Sequence, residues 1–484
     1  MAIASARAAI RVIVTPLDRR EGAANRSTPR YTPTREAVKD RGSLAVNTAP
    51  CRVYVLCPYF APMTSTSNRR SAATTTDEGL RPLAGAGLEP RLASLLELWR
   101  ERRSGAGSHG SSRPPPKGQL SPAELAAAST ALLGLQRGLT GDRALAGRDY
   151  MDDADLLGAY LLYYWPVSYL QTSIAIAELG RVPGRILDIG SGPGPGAAAL
   201  MDAGAAELTL VDGSRTALAA AARLLGGADA RVAGIRLDLE SGAPLPSGPF
   251  DLVNLGHCIN ELWKERPDRA ALRLAFLERC GASLAPDGAL LAIEPATLGA
   301  SRELLELRDQ LAGRGWSILA PCPGSYPCPA IAAGPGRSCH SEAPWSPPDM
   351  VAALARAAGL DRESVKFCYF AARPPAFVGP AVAGPAVAHP TPIGGGPSPA
   401  RVVSDPLLNK AGRLRYMLCD GGRLAALSAP SADPAAKAAG FFGLRRGDRI
   451  TVEAPEFRES GFGIGPGTRI IVSARAPAPR KAEK

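Results

Sequence analysis

Residues 185–197 read Arg185-Ile-Leu-Asp-Ile-Gly-Ser-Gly-Pro-Gly-Pro-Gly-Ala197. The first five form an apolar run with one carboxylate near its end, the pattern of a parallel strand buried on both faces. Gly190, Gly192, Gly194 and Gly196 follow at alternate positions. Without Cβ atoms they permit a sharp turn and let a ligand approach the backbone. Pro195 suits the first turn of a helix, where its missing N–H costs nothing, and the stretch to Ala203 continues that helix with strong helix formers. Strand, glycine loop and helix together predict a nucleotide-type binding turn at the carboxyl edge of a sheet.

The spacing narrows the ligand. A dinucleotide turn has Gly-x-Gly-x-x-Gly facing a pyrophosphate. Here Asp188 stands two residues before Gly190 and the loop runs Gly-x-Gly-x-Gly, which resembles motif I of class I S-adenosylmethionine methyltransferases. That cofactor has no phosphate; its amino group and sulfonium are cationic, and a carboxylate at Asp188 suits them. The resemblance implies a cofactor site at Asp188, Gly190, Ser191, Gly192 and Gly194. Residues 207–212 are a second apolar strand ending in Asp212, where such folds meet ribose hydroxyls. A third strand ends near Asp238, placed to accept from an adenine amino group. A fourth, Phe250–Gly256, carries Asn254, and Gly288–Pro295 is a fifth. Helical stretches fall at 216–225, 268–284 and 301–311. Strands alternating with helices predict a doubly wound, Rossmann-like α/β sheet.

The chain has 484 residues, 45% of them hydrophobic and 21% charged, enough for more than one globular domain. No apolar run approaches the roughly 20 residues of a membrane helix, so no membrane partner is expected. Charge is unevenly spread: residues 1–150 balance to +10, 151–400 to −6 and 401–484 to +7. A mildly acidic centre flanked by basic ends suits a large polyanion such as RNA held by the periphery, although basic tails are also ordinary solvated extensions.

Residues 1–85 lack periodicity and have Arg7 and Arg11 ahead of the first acidic residue, Asp18. They read as a disordered or targeting extension. Residues 86–180 read as a helical subdomain, with a capping box at Ser121–Glu124 and a long helix over 155–179 that Pro166 should end or kink. Its Tyr160-Leu-Leu-Tyr-Tyr-Trp165 run reads as core packing, with base stacking as the alternative. Residues 181–373 are the methyltransferase-like domain, with a helix over 347–360 and a closing strand at 364–371. Residues 374–400 are a linker whose Pro374–Pro399 stretch has no Lys, Arg, Asp or Glu. Residues 401–484 read as a small, basic, β-rich domain, where Arg413, Arg415, Arg445, Arg446 and Arg449 are candidates to meet phosphates. A monomer is expected.

Between the fourth and fifth strands lies Leu255-Gly-His-Cys-Ile-Asn-Glu-Leu262. Methyltransferases of this class carry substrate-side residues there. The Asn-Pro-Pro-Tyr element of amino methyltransferases is missing, so Asn254, His257, Asn260 and Glu261 are the polar candidates for catalysis, with loop pinning as their alternative role.

Nine cysteines with no secretory signal point to a reducing compartment. Residues 320–340 hold Cys322, Cys328 and Cys339 in a Pro/Gly-rich loop, two of them followed by Pro as is common at iron–sulfur ligands. Three thiolates need a fourth ligand for a tetrahedral metal or a cubane. His340 adjoins Cys339 awkwardly, so Cys419 is the better candidate, with zinc and iron–sulfur both open.

These motifs, in this order, resemble the mitochondrial small-ribosomal-subunit methyltransferase-like family and its bacterial relatives over about residues 120–425. The resemblance implies association with small-subunit ribosomal RNA during assembly or translation. It also implies a four-iron four-sulfur cluster on Cys322, Cys328, Cys339 and Cys419. The expected function is an S-adenosylmethionine-dependent methyltransferase-fold protein acting on ribosomal RNA, in the cytoplasm or else the mitochondrial matrix. The alternatives are a non-catalytic assembly factor that binds RNA, and a small-molecule methyltransferase with a zinc loop.

Overall fold

The glycine-loop stretch begins on a strand in the middle of a nine-stranded sheet. The computed structural model describes residues 11–13, 87–105, 118–141, 143–145, 150–180, 184–226, 230–322, 327–360, 363–375, 399–458 and 461–475. In chain order the sheet comprises β1 (Arg11–Ile13), β2 (Arg185–Ile189), β3 (Glu207–Asp212), β4 (Arg231–Arg236), β5 (Phe250–Gly256), β6 (Leu284–Pro295), β7 (Ser317–Ala320), β8 (Ser341–Pro344) and β9 (Ser364–Arg373). Its order is β1-β4-β3-β2-β5-β6-β9-β7, with β8 beside β9. Strands β1 to β6 pair in parallel, and β9 runs antiparallel to β6. The order reverses between β2 and its two neighbours β3 and β5. That is the switch point where open α/β sheets take ligands.

Helices α1 (Leu88–Gly105), α2 (Pro122–Gln136), α3 (Ala154–Ala159) and α4 (Trp165–Leu179) precede β2. Between the strands come α5 (Pro195–Asp202), α6 (Arg215–Leu225), α7 (Arg269–Gly281), α8 (Leu298–Gly313), α9 (Pro329–Ala332) and α10 (Asp349–Ala357). The predicted capping box is made: Glu124 N–H donates to Ser121 Oγ, and Ser121 N–H to Glu124 Oε2. Arg100 pairs with the same Glu124 at 2.7 Å and ties α1 to α2.

The long helix expected over 155–179 differs. It runs as α3, then a π-turn at Tyr160–Tyr164, then α4. The π-turn widens the helical ladder just ahead of Pro166, so the proline falls in the first turn of α4, where its missing donor is not needed. The aromatic run divides accordingly. Tyr163, Trp165 and Tyr169 are in the core, while Tyr160 and Tyr164 line a cleft. The helix expected to run to residue 284 stops at Gly281, because Ser283 Oγ donates to Cys280 O and Leu284 already belongs to β6.

The C-terminal part is β-rich, with β10 (Pro399–Val402), β11 (Leu407–Leu408), β12 (Arg413–Cys419), β13 (Leu424–Pro430), β14 (Arg449–Glu453), β15 (Glu456–Arg458), β16 (Gly461–Gly463) and β17 (Arg469–Ala474) in one sheet. Val402, Tyr416, Leu427, Phe441 and Ile450 form its core. Three of its arginines reach the α/β part, among them Arg446, which stands 3.5 Å from Glu342 of β8. Arg401 pairs bidentately with Glu178 of α4, at 2.6 and 3.0 Å, and Arg449 donates to Pro321 O at 3.2 Å. The predicted extension over residues 1–85 and most of the predicted linker lie outside the described residues.

Candidate functional site

A cleft of about 770 Å³ opens at the carboxyl ends of β2, β3, β4 and β5. Its floor is the glycine loop, and the loop's shape explains its composition. Gly190 and Gly192 have φ of +63° and +52°, where a side chain strains the backbone. A Cβ on Gly190 would also stand 2.5 Å from Cys258 Cβ. Both glycines line the cleft, as do Asp212, Asp238, His257, Asn260 and Glu261. Asp188, Ser191, Gly194 and Asn254, also predicted for the site, are not among its lining residues.

Asp188 is 2% exposed and sits in register with Asn254 of the neighbouring strand. Asn254 Nδ2 donates to its Oδ1 at 2.7 Å, while its Oδ2 is buried without a hydrogen bond among the described residues. Burial pushes this carboxyl up to about 7, against the pull of the Asn254 hydrogen bond. Asn254 is 1% exposed and serves Asp188 from behind the loop, which corrects its expected place in the cleft. Asp212 accepts from Gly192 N–H and Ser214 N–H, both at 2.8 Å, so it shapes the loop from its own strand end. Asp238 is exposed; its Oδ1 accepts from Glu240 N–H at 2.9 Å.

On the far side, Asn260 is occupied by protein partners. Its N–H and Nδ2 donate to Glu294, its Oδ1 accepts from Arg143 at 2.7 Å, and its carbonyl accepts from Arg273 at 2.8 Å. Burial pushes the Glu294 carboxyl up to about 8, opposed by these Asn260 hydrogen bonds. Asn260 therefore pins the loop. His257 leaves β5 with φ of +62° and donates its N–H to Ile293 O. Its Nε2 is 2.7 Å from Gln171 Oε1, and burial holds the ring down to about 4 and neutral. Gln171 was not predicted. In the sequence it is one of several polar side chains of α4, beside Ser168, Thr172 and Ser173, and carries no distinguishing signal.

The cysteines predicted to share a centre, Cys322, Cys328, Cys339 and Cys419, line one small cavity of about 50 Å³ between the two sheets. Arg308, Arg401 and Tyr369 line it too. The Cys419 thiol beside Cys322, aided by Arg401 and Arg308, holds the Cys322 thiol below its ordinary range against burial. Burial pushes Cys339 up to about 12. Asp309 accepts from the Cys328 N–H at 2.8 Å. Among the described residues no three His, Cys, Asp or Glu side chains stand together as a closed metal shell. The four thiols converge, but they are not drawn up as ligands. His340 turns toward Glu342, with Nε2 at 3.7 Å from the carboxylate.

Of the arginines predicted to meet phosphates, Arg446 donates to Val403 O and pairs with Asp405 and Glu342, and Arg449 holds Pro321 O. Those two are structural. Arg415 and Arg445 are exposed.

A family profile described as the mitochondrial small ribosomal subunit family Rsm22 matches residues 159–423. No curated protein matches the sequence. Solved structures similar to it include DhpI in complex with S-adenosylhomocysteine, 19% identical, covering 53% of this chain and 99% of that one with a TM-score of 0.27. The plantazolicin methyltransferase BpumL, solved with a monoazolic desmethylPZN analogue and S-adenosylhomocysteine, is 12% identical, with coverage of 52% and 98% and a TM-score of 0.30. A Leishmania major S-adenosylmethionine-dependent methyltransferase is 16% identical, with coverage of 58% and 91% and a TM-score of 0.30.

Proposed function

Because this chain belongs to the Rsm22 family of the mitochondrial small ribosomal subunit, we propose that it is a methyltransferase-fold protein that binds S-adenosylmethionine and acts on small-subunit ribosomal RNA. The observation that carries this reading is the cleft. Its lining combines the glycine loop, Asp212 and Asp238, which suit a nucleoside, with Tyr150, Tyr160, Tyr164 and His257, which suit a second flat molecule. The Asp188 carboxylate is buried behind the loop, held by Asn254 and near the Ala197 N–H, and its Oδ2 makes no hydrogen bond of ordinary geometry among the described residues, which fits a cofactor bearing two positive charges. Bound S-adenosylmethionine would supply an electrophilic methyl group. The chain's own part is to hold the cofactor at the loop, exclude water with the tyrosine wall, and align the acceptor.

We also assign a four-iron four-sulfur cluster to Cys322, Cys328, Cys339 and Cys419. The support is their convergence on one cavity, framed by the cationic Arg401 and Arg308, which suit an anionic thiolate-bound cluster. The cluster would tie β12 to the β7–α9 loop and supply structural cohesion. The family's description favours the mitochondrion over the cytoplasm as the compartment.

A second reading, binding without chemistry, is favoured by one observation: the amides of Asn254 and Asn260 are engaged by Asp188, Glu294 and Arg143. One experiment separates the two. Full-length protein, purified without oxygen, is incubated with methyl-labelled S-adenosylmethionine and immature small subunits. Label in the RNA is expected. Cofactor binding without label selects the assembly-factor reading, and absence of cofactor binding overturns both.

A further inference from the structure

Gln171 is 3% exposed, on the sheet side of α4. Its Nε2 donates to the backbone carbonyl of Lys366 on β9 at 3.2 Å, and its Oε1 stands 2.7 Å from His257 Nε2. A peptide carbonyl only accepts, so the amide nitrogen has to face Lys366 and the amide oxygen has to face the imidazole. An amide oxygen also only accepts, so Nε2 of His257 carries the ring proton. The half-buried ring is held neutral by desolvation, and with the proton on Nε2 its Nδ1 carries a lone pair that meets no hydrogen-bond partner among the described residues. His257 lines the cleft. It is held there at a backbone angle that a non-glycine residue adopts only at a cost of about 1–3 kcal/mol, and such strain persists where the surrounding structure aims a side chain.

The wall of the same cleft is aromatic. Tyr150, Tyr160 and Tyr164 line it, and the Tyr160 and Tyr164 rings stack at 6.0 Å and 26°. Flat faces of this kind suit an unstacked heterocycle. We propose that the cleft takes a nucleobase through an N–H on its edge, with His257 Nδ1 as the acceptor of that N–H and Gln171 as the positioning residue that sets the imidazole tautomer. This rests on reading the cleft as the RNA-facing side of a cofactor site, and it specifies which edge of the ligand is read. A ring with no N–H meets a lone pair with a lone pair and is refused.

The test uses the full chain labelled with ¹⁵N-histidine. The protein has four histidines, so the His257 signals are assigned by their loss in His257→Gln. The expected spectrum shows a neutral ring protonated at Nε2. With S-adenosylhomocysteine present, adenosine or cytidine shifts the Nδ1 signal, whereas N6,N6-dimethyladenosine, whose heterocycle has no N–H, binds at least about tenfold more weakly. His257→Gln keeps a donor toward Gln171 and places nothing at Nδ1. It should melt with the wild type, bind S-adenosylhomocysteine normally, and lose at least about tenfold in adenosine affinity. Gln171→Leu should leave His257 as a mixture of both tautomers. A wild-type ring protonated at Nδ1, equal binding of adenosine and its dimethyl derivative, no nucleoside binding, or full adenosine affinity in His257→Gln would each overturn the proposal. Failure of S-adenosylhomocysteine to bind would instead remove the cofactor reading, and the tautomer would still be read directly.

Discussion

Asp188 shows how much one carboxyl group contributes to the cofactor site. Its folded value of about 7 lies above the ordinary 3.8, so the folded chain holds a proton that the unfolded chain has released. Its contribution to stability is therefore present below pH 4 and is lost as pH rises from about 4 to 7. A cationic ligand prefers the ionised form, so affinity for S-adenosylmethionine should increase as pH rises through about 7, as calorimetry at pH 6 and pH 8 would show. Asp188→Asn keeps an acceptor for Asn254 and removes the buried charge. At pH 8 its apo melting temperature should rise by about 2–5 °C, while S-adenosylmethionine binding is lost. An unchanged affinity in this variant would contradict the assigned role of Asp188.

At the level of elements, the loop after β2 depends on a side chain that is missing. Gly190→Ala adds a Cβ that overlaps Cys258 Cβ at 2.5 Å, at a left-handed φ. It should cost about 2–5 kcal/mol in urea denaturation, backbone strain and overlap together, and abolish S-adenosylhomocysteine binding. Such loops are legible because their signal is local: an apolar run, a carboxylate and glycines within thirteen residues locate β2, the turn and α5. Strand ends at Asp212 and Gly256 are legible by the same periodicity. The π-turn at Tyr160–Tyr164 is not, since the choice of ladder depends on packing against α1, α2 and α10 and leaves no composition signal. Asn254 was readable as a strand-end amide, but its position behind the loop follows from the β2–β5 register. Gln171 and His257 are 86 positions apart, so their contact exists only once α4 lies on β9. Arg401 and Glu178, 223 apart, are further still from any local pattern.

Across the whole molecule, two folded parts meet at sulfur and at two ion pairs, Arg401 with Glu178 and Arg446 with Glu342. Cys322→Ser, purified anaerobically, should hold little iron and lose the visible absorption of the wild type. Full iron content in that variant, or zinc in the wild type, would rule out the assigned cluster. Glu178→Gln leaves Arg401 buried without its carboxylate partner, a change worth about 2–4 kcal/mol, and calorimetry should then resolve two melting transitions in place of one. For RNA, the double variant Arg415→Ala with Arg445→Ala should weaken binding to all sequences alike and reduce the salt-dependence slope by about 2. A larger consequence follows from α4 itself. Gln171 and Glu178 are seven residues, or nearly two full turns, apart, so they project from the same side of one rigid rod about 10 Å from each other. The first aims the imidazole and the second grips the C-terminal part beside the thiols. One helix therefore braces both the imidazole and the C-terminal part, so a substitution that shifts α4 is felt at His257 and at Arg401 together.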